Sequence, residues 1–323
     1  MNYCEPETIK KPPENRETEE GYPNVNRKNH LLPISILISA IIVAGTWIYI
    51  TGLKVSSFSQ KASLTKGINS VINSEEDILP SKGVILPVKW GDIGTKLVDS
   101  GVIDKQKLES AYYQRGGISN KDWELINSGN NNDDLIMTSE NSGLLLNLFW
   151  AFGLSNKNEI LEKGPMNDPQ YGGAGNFAST GGWTLAKGKA MDHYSKYNFV
   201  SLTPEQQALV EKVSKGIYRP CCGNSTYFPD CNHGMAMLGF LELMASQGKT
   251  EEEMYQAALV VNSFWFPSTY QTIAKLMESR GIQWKDVNSK EVLGANFSSA
   301  SGYRRVLSQI QPVQSGGGNS CGI

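Results

Sequence analysis

Thr203-Pro-Glu-Gln-Gln-Ala-Leu-Val-Glu-Lys-Val-Ser-Lys-Gly216 carries both the start and the stop signal of a helix. Thr203 and Gln206 have the spacing of a capping box, in which each side chain accepts from the other residue's free backbone N–H. Pro204 occupies the first helical position, where a missing N–H loses no bond. Leu209 and Val213 lie one turn apart on the face to be buried, and Gly216 supplies the stop. Thr250-Glu-Glu-Glu253 and Ser268-Thr-Tyr-Gln271 repeat the device. Met254, Ala257, Ala258 and Val261 follow the first at helical spacing, and Ile273, Leu276 and Met277 follow the second before Gly281. Upstream, Ser139 precedes an apolar run that predicts a helix from Gly143 to Phe152. Few stretches alternate with period two, so the expected class is mainly α, with an all-α or nearly all-α domain.

One segment breaks this texture. Tyr171-Gly-Gly-Ala-Gly-Asn-Phe-Ala-Ser-Thr-Gly-Gly-Trp183 is too rich in glycine for a helix and lacks the Lys-Ser/Thr ending of a phosphate-binding loop. It is expected to be an ordered loop lying over the helical core.

Near the N-terminus, residues 31–53 read LLPISILISAIIVAGTWIYITGL without an ionisable side chain. A run of this length spans a hydrocarbon layer of ~30 Å, and Trp47 and Tyr49 fall where aromatic rings favour the interface. It is longer than the apolar core of a typical signal peptide and follows a long polar tail, so an uncleaved transmembrane helix is expected. Arg27, Lys28 and His30 before the span, against Lys54 after it, place the N-terminus in the cytoplasm. The expected organisation is a disordered cytoplasmic tail at 1–30, a transmembrane helix at 31–53 and a Ser/Asn/Lys-rich stalk at 54–83. A helical extracytoplasmic domain at 84–311 and a flexible Gly-rich tail at 312–323 complete it. The lipid bilayer is thus an expected partner and the cell membrane the expected location, single-pass. The formal net charge of -2, from 30 basic and 32 acidic residues, provides no field to gather nucleic acid, and none is expected as a partner.

The chemistry concentrates in Tyr218-Arg-Pro-Cys-Cys-Gly-Asn-Ser-Thr-Tyr-Phe-Pro-Asp-Cys-Asn-His-Gly-Met-Ala-Met237. Three of the chain's 5 cysteines and one of its 3 histidines lie here, between two well-punctuated helices. Cys221, Cys222, Cys231 and His233 supply three thiolates and an imidazole, a full tetrahedral set for zinc, and the thioethers of Met235 and Met237 add secondary donors suited to cuprous copper. The same thiols are candidates for thiol–disulfide exchange, with Cys321, carried on the glycine arm Gly316 to Gly318, as a mobile partner thiol. Arg219 and the start of a helix after Cys231 would both favour a thiolate. A third reading is structural. Cys221 or Cys222 bridges Cys231 and merely staples the loop, since adjacent cysteines bond each other only with strain. The spacing is not that of a standard zinc finger, and it is not Cys-x-x-Cys-His, which excludes covalent c-type haem.

The run from Tyr218 through Cys221 and Cys222, then Leu238 to Met244, Gly248-Lys-Thr-Glu-Glu-Glu-Met254 and Trp265-Phe-Pro267, resembles the helical hairpin of CcmH-type thiol oxidoreductases of cytochrome c maturation. Those proteins carry a cysteine pair ahead of a helix, a polar turn, and a second helix ending near an aromatic residue and a proline. The resemblance covers about fifty residues. It implies extracytoplasmic thiol chemistry with Cys221 and Cys222 as the thiols. It departs at the pair itself, which is adjacent here and two residues apart in the family, and in the added Cys231 and His233.

Elsewhere, His193 is expected to be a surface or internally bonded residue, and Asp133, Asp134, Asp168 and Asp230 have no hydrolase-like spacing. Within residues 84–311 no Gly-x-Ser-x-Gly nucleophile elbow occurs. The expected function is therefore a membrane-anchored extracytoplasmic protein with a thiol redox or soft-metal site, served by a protein partner that exchanges electrons or metal. The alternative is a non-enzymatic binding or scaffold domain with a structural disulfide.

Overall fold

The computed structural model describes residues 75–313. The expected tail, transmembrane span and most of the stalk lie outside these residues, as do Cys4 and Cys321. Among the described residues no helix is long and apolar enough to cross a membrane.

In chain order the elements are β1 (Val84–Leu86), α1 (Ile93–Asp99), α2 (Lys105–Tyr113), α3 (Asn120–Asn127), β2 (Leu135–Met137), α4 (Ser142–Ser155) and α5 (Glu159–Lys163). After a long irregular stretch come α6 (Pro204–Gly216), α7 (Asn232–Ser246), α8 (Glu251–Trp265), α9 (Pro267–Ser279), α10 (Ser289–Leu293), α11 (Ala295–Ser298) and α12 (Ala300–Leu307). The fold is mainly helical, as the punctuation implies. The one sheet among the described residues is a two-stranded antiparallel pair, with Val84 opposite Met137 and Leu86 opposite Leu135. Packing already includes Ile78, buried ahead of the expected domain start at Val84.

Helices α4 and α7 form the centre. Both are buried on every face, α4 from Leu144 to Ser155 and α7 from His233 to Ala245, with Asn147 and Glu242 among otherwise mostly apolar residues. Such helices draw stability from burial, ~1.5–3 kcal/mol for each large apolar side chain, and not from an amphipathic stripe. They touch backbone to backbone at Gly153 and Gly239. A Cβ added to Gly153 would lie 2.3 Å from the Met235 carbonyl oxygen, and one on Gly239 would lie 2.5 Å from that of Phe149. Helices α6 and α8 pack against this pair, α9 packs on α8, α10 lies against α8 and α12 against α9.

Two of the three expected capping boxes form, at Thr203/Gln206 and Thr250/Glu253. The third does not. Pro267 takes the first position of α9, so Ser268 falls inside the first turn and its carbonyl accepts from the Thr272 hydroxyl at 2.6 Å. The start expected for α4 at Gly143 moves one residue earlier, where Asn141 and Thr138 exchange hydrogen bonds.

The glycine-rich segment is an irregular loop with two 3-10 turns, Pro169–Tyr171 and Ala174–Asn176. It is anchored to the core where Trp150 Nε1 donates to the Ser179 carbonyl at 2.6 Å, and to the cysteine segment where Ser179 N donates to the Asp230 carbonyl at 3.2 Å. Tyr171, Phe177 and Phe228 stack across that junction with ring centroids 5.3 to 5.4 Å apart. Its glycines let the backbone turn at Gly172 and Gly173, where φ is positive.

Candidate metal and thiol centre

Helix α6 ends at Gly216, and the chain makes a tight excursion before α7 begins. Tyr218 pairs with Ser225 in an isolated antiparallel bridge, and Thr226 N donates to the Ile217 carbonyl at 2.8 Å. This folds Arg219, Cys221 and Cys222 back against Asp230 and Cys231.

Arg219 organises the turn. Its side chain is 2% exposed and all its nitrogens donate: Nη1 to the Asn224 carbonyl at 3.1 Å, Nη2 to the Phe228 carbonyl at 3.1 Å and to Asp230, and Nε to Cys231 Sγ at 2.9 Å. Burial opposes its charge, but Cys231, Cys222 and Asp230 outweigh that and keep the guanidinium protonated. The guanidinium lies across the first turn of α7, in the space left by Gly234, where a Cβ would fall 2.6 Å from Arg219 Cζ. A cation at a helix N-terminus is opposed by the helix dipole. Arg219 tolerates the position because two anionic groups, Asp230 and Cys231, sit there with it.

Cys231 is the N-cap of α7, and its side chain caps nothing. Its sulfur lies 3.6 Å from Cys221 Sγ. Despite its burial, the neighbouring thiols of Cys221 and Cys222, the Arg219 guanidinium and the nearby His233 hold it well below the ordinary thiol range. The counterpart shifts follow. Cys221 is pushed up by its bonds to Cys222 and then Cys231. The contact with Cys221 pulls Cys222 down, yet Cys231 and burial outweigh it and push Cys222 up to about 11. Of the three thiols, Cys231 is the one whose surroundings favour the thiolate. In reduced, metal-free protein, alkylation by iodoacetamide should reach Cys231 at a pH where ordinary thiols are inert, and Cys221→Ala should move that midpoint upward. Peptide mass spectrometry across a pH series reads both, and an unmoved midpoint would remove Cys221 as the principal cause.

His233, on the first turn of α7, is 2% exposed, and neither ring nitrogen has a hydrogen-bond partner. Phe266 stacks obliquely on it at 4.4 Å and Trp265 meets it edge-on at 5.7 Å. The other described histidine differs. His193 is bonded through Nδ1 to the Tyr197 hydroxyl at 2.9 Å and through Nε2 to the Lys187 carbonyl at 2.8 Å. That is the internally satisfied role expected of it.

The ligand-capable atoms fall into two overlapping groups, Cys221 with Cys231 and His233, and Cys222 with Asp230 and Cys231, each with all its atoms within 4.8 Å of one another. The four residues singled out in the sequence are therefore brought together. Met235 and Met237 are buried in the hydrophobic core. Asp230, Asn224, Gly234 and the Trp265/Phe266 wall complete the neighbourhood. The signals that point to them are an acidic residue beside the cap cysteine and a glycine one position after the histidine.

No family model, no curated protein and no solved structure matches this chain.

Proposed function

We propose that this chain is a membrane-anchored extracytoplasmic protein whose Cys221, Cys231 and His233 hold a zinc or cuprous ion. The observation that carries the reading is His233. A buried imidazole with no partner on either nitrogen costs on the order of 1–3 kcal/mol in unmade hydrogen bonds, unless a group absent from the protein itself meets its lone pair. A metal ion does so, and the two sulfurs beside it are the donors such an ion prefers. The spacing agrees: zinc–sulfur bonds of ~2.3 Å give a tetrahedral edge of about 3.8 Å, and the Cys221–Cys231 separation is 3.6 Å. The charge agrees too. Arg219 and Asp230 offset each other, and two thiolates with zinc leave the site neutral.

The test is elemental analysis of full-length protein purified under reducing conditions. About one zinc or copper per chain is expected, because thiolate-rich sites bind far below micromolar free metal. Cys231→Ser, which removes the favoured thiolate, should lower affinity by at least about a hundredfold. Metal-free wild-type protein that takes up neither ion on titration ends the reading.

Thiol redox chemistry is the second reading, favoured by one observation. The exposed Cys221 faces Cys231 across 3.6 Å, so exchange with a partner disulfide, which would take up the two electrons, could close the pair into a disulfide with little movement. The resemblance to CcmH-type oxidoreductases and the arm bearing Cys321 belong to this reading. A disulfide joining Cys321 to the cluster in a glutathione redox series would support it. One invariant internal bridge would favour the structural staple. The membrane orientation is tested separately. An impermeant thiol reagent should label the reduced cluster in intact cells and spare Cys4, and labelling of Cys4 alone would reverse the topology.

A further inference from the structure

We infer that the centre is open, with three protein ligands, Cys221, Cys231 and His233, and a fourth position that takes an exogenous thiolate. The inference rests on the metal reading above and deepens it. Cys222 is the obvious candidate to close a four-ligand site, yet it stands outside the Cys221–Cys231–His233 group. Its sulfur instead faces Asp230 Oδ1 and the Asn224 carbonyl, each at 3.9 Å. Its backbone is tied down on both sides. Cys222 N donates to the Arg219 carbonyl at 3.4 Å, and the Cys222 carbonyl accepts from Ala300 N, at the start of α12, at 2.9 Å. The Asp230 carboxylate that Cys222 faces is itself fixed by Arg219 and by Asn224 Nδ2 at 2.9 Å. With the backbone held in this way, bringing the Cys222 sulfur round to a metal held by His233 would give up both of its contacts, with Asp230 and with the Asn224 carbonyl.

The remaining approach is the side of Cys221, the exposed member of the group. Behind the site, Trp265 and Phe266 close off His233. Three protein ligands with a vacant fourth position are the arrangement of catalytic and exchange sites, whereas structural sites are closed with four. In such a site water holds the fourth position until a stronger donor displaces it; thiolate is a stronger donor to zinc or cuprous copper, and the solvent-side entry over Cys221 suits a small one. The ligand class is thus a low-molecular-weight thiolate, its metal–sulfur bond replacing a metal–water bond, with the water and the thiol proton released to solvent.

The experiment uses the full-length protein, reduced with a phosphine so that no added thiol is present, and loaded with cobalt(II). Sulfur-to-cobalt charge-transfer and visible ligand-field bands report the number of thiolates and the coordination geometry. Wild-type protein and Cys222→Ser should bind cobalt with affinities within about threefold of each other, and titrating 2-mercaptoethanol should raise the charge-transfer intensity by about half, saturably, as two sulfur ligands become three. A more than about tenfold loss of cobalt affinity in Cys222→Ser, or a wild-type spectrum that already shows three thiolates and ignores added thiol, would mean a closed site and overturns the inference while leaving the metal reading intact. Failure of wild-type protein to bind cobalt, zinc or copper overturns both. The wild-type titration stands by itself should Cys222→Ser fail to fold.

Discussion

Gly239→Ala is expected to lower the melting temperature by roughly 5–10 °C, although alanine is the better helix former. Two effects compete. In the interior of α7, replacing glycine by alanine should gain about 1 kcal/mol of helix propensity. Against this, the new Cβ would lie 2.5 Å from the Phe149 carbonyl oxygen, 2.7 Å from Gly153 N and 2.8 Å from Gly153 Cα. All three are backbone atoms of α4 and cannot rotate away, so α4 and α7 must separate along a fully buried contact. Overpacking of this kind costs about 3 kcal/mol or more, which outweighs the propensity gain. Gly129→Ala is the control, since nothing lies within 4 Å of a Cβ there. Thermal unfolding followed by circular dichroism reads both, and an unchanged or raised melting temperature for Gly239→Ala would mean that the two helices do not cross at these glycines.

The same pair of helices shows what is legible in the sequence. Their existence is local information. Thr203/Gln206 and Thr250/Glu253 form their capping boxes from residues three apart, and the apolar run after Ser139 reads as a helix without any tertiary context. Their crossing point is not local, because Gly153 and Gly239 acquire meaning only when brought together. The β1–β2 pair fails to be legible for the same reason. Its three-residue strands are too short for a period-two signal, and Val84 meets Met137 only across the intervening helices α1 to α3. The lost capping box at Ser268 is a contest between two local signals. Pro267 fits the first helical position better than Ser268 fits the cap, so the helix starts one residue too early for the box to form.

The site divides likewise. That Cys221, Cys222, Cys231 and His233 meet follows from their density along the chain, and the helix beginning just after Cys231 follows from the apolar run. Which sulfur faces which donor depends on Arg219, whose guanidinium reaches Cys231 only because Gly234 leaves its seat empty. A buried arginine is not an expectation that composition supports, since arginine is among the residues least often buried. Cys222 and Cys221, adjacent in sequence, fall in different ligand groups, and the Cys222 carbonyl accepts from Ala300 N, a contact far away along the chain that no local pattern announces.

Glu242→Gln should stabilise the protein at alkaline pH and leave it nearly unchanged near pH 5. Glu242 lies on α7 and is wholly buried. Its Oε2 accepts from Asn156 Nδ2 at 2.6 Å, while Oε1 has no partner within hydrogen-bond distance. Burial raises its pKa well above the ordinary 4.5, and the amides of Asn156 and Asn158 only partly oppose this. The folded state therefore holds a proton that the unfolded chain releases at the ordinary carboxylate pKa. Stability due to this group is fully present below the unfolded value and is lost as pH rises through the folded one, at about 1.4 kcal/mol for each pH unit between the two. Glutamine keeps the shape and the bond to Asn156 and has no proton to lose. The gain over wild type should grow with pH, and each kcal/mol recovered should appear as roughly 2–4 °C in melting temperature. Parallel melts of the two proteins from pH 5 to pH 9 make the comparison. A loss of stability in Glu242→Gln that is the same at every pH would mean that the carboxyl is ionised in the fold and held by a partner, and the neutral buried acid would have to be abandoned.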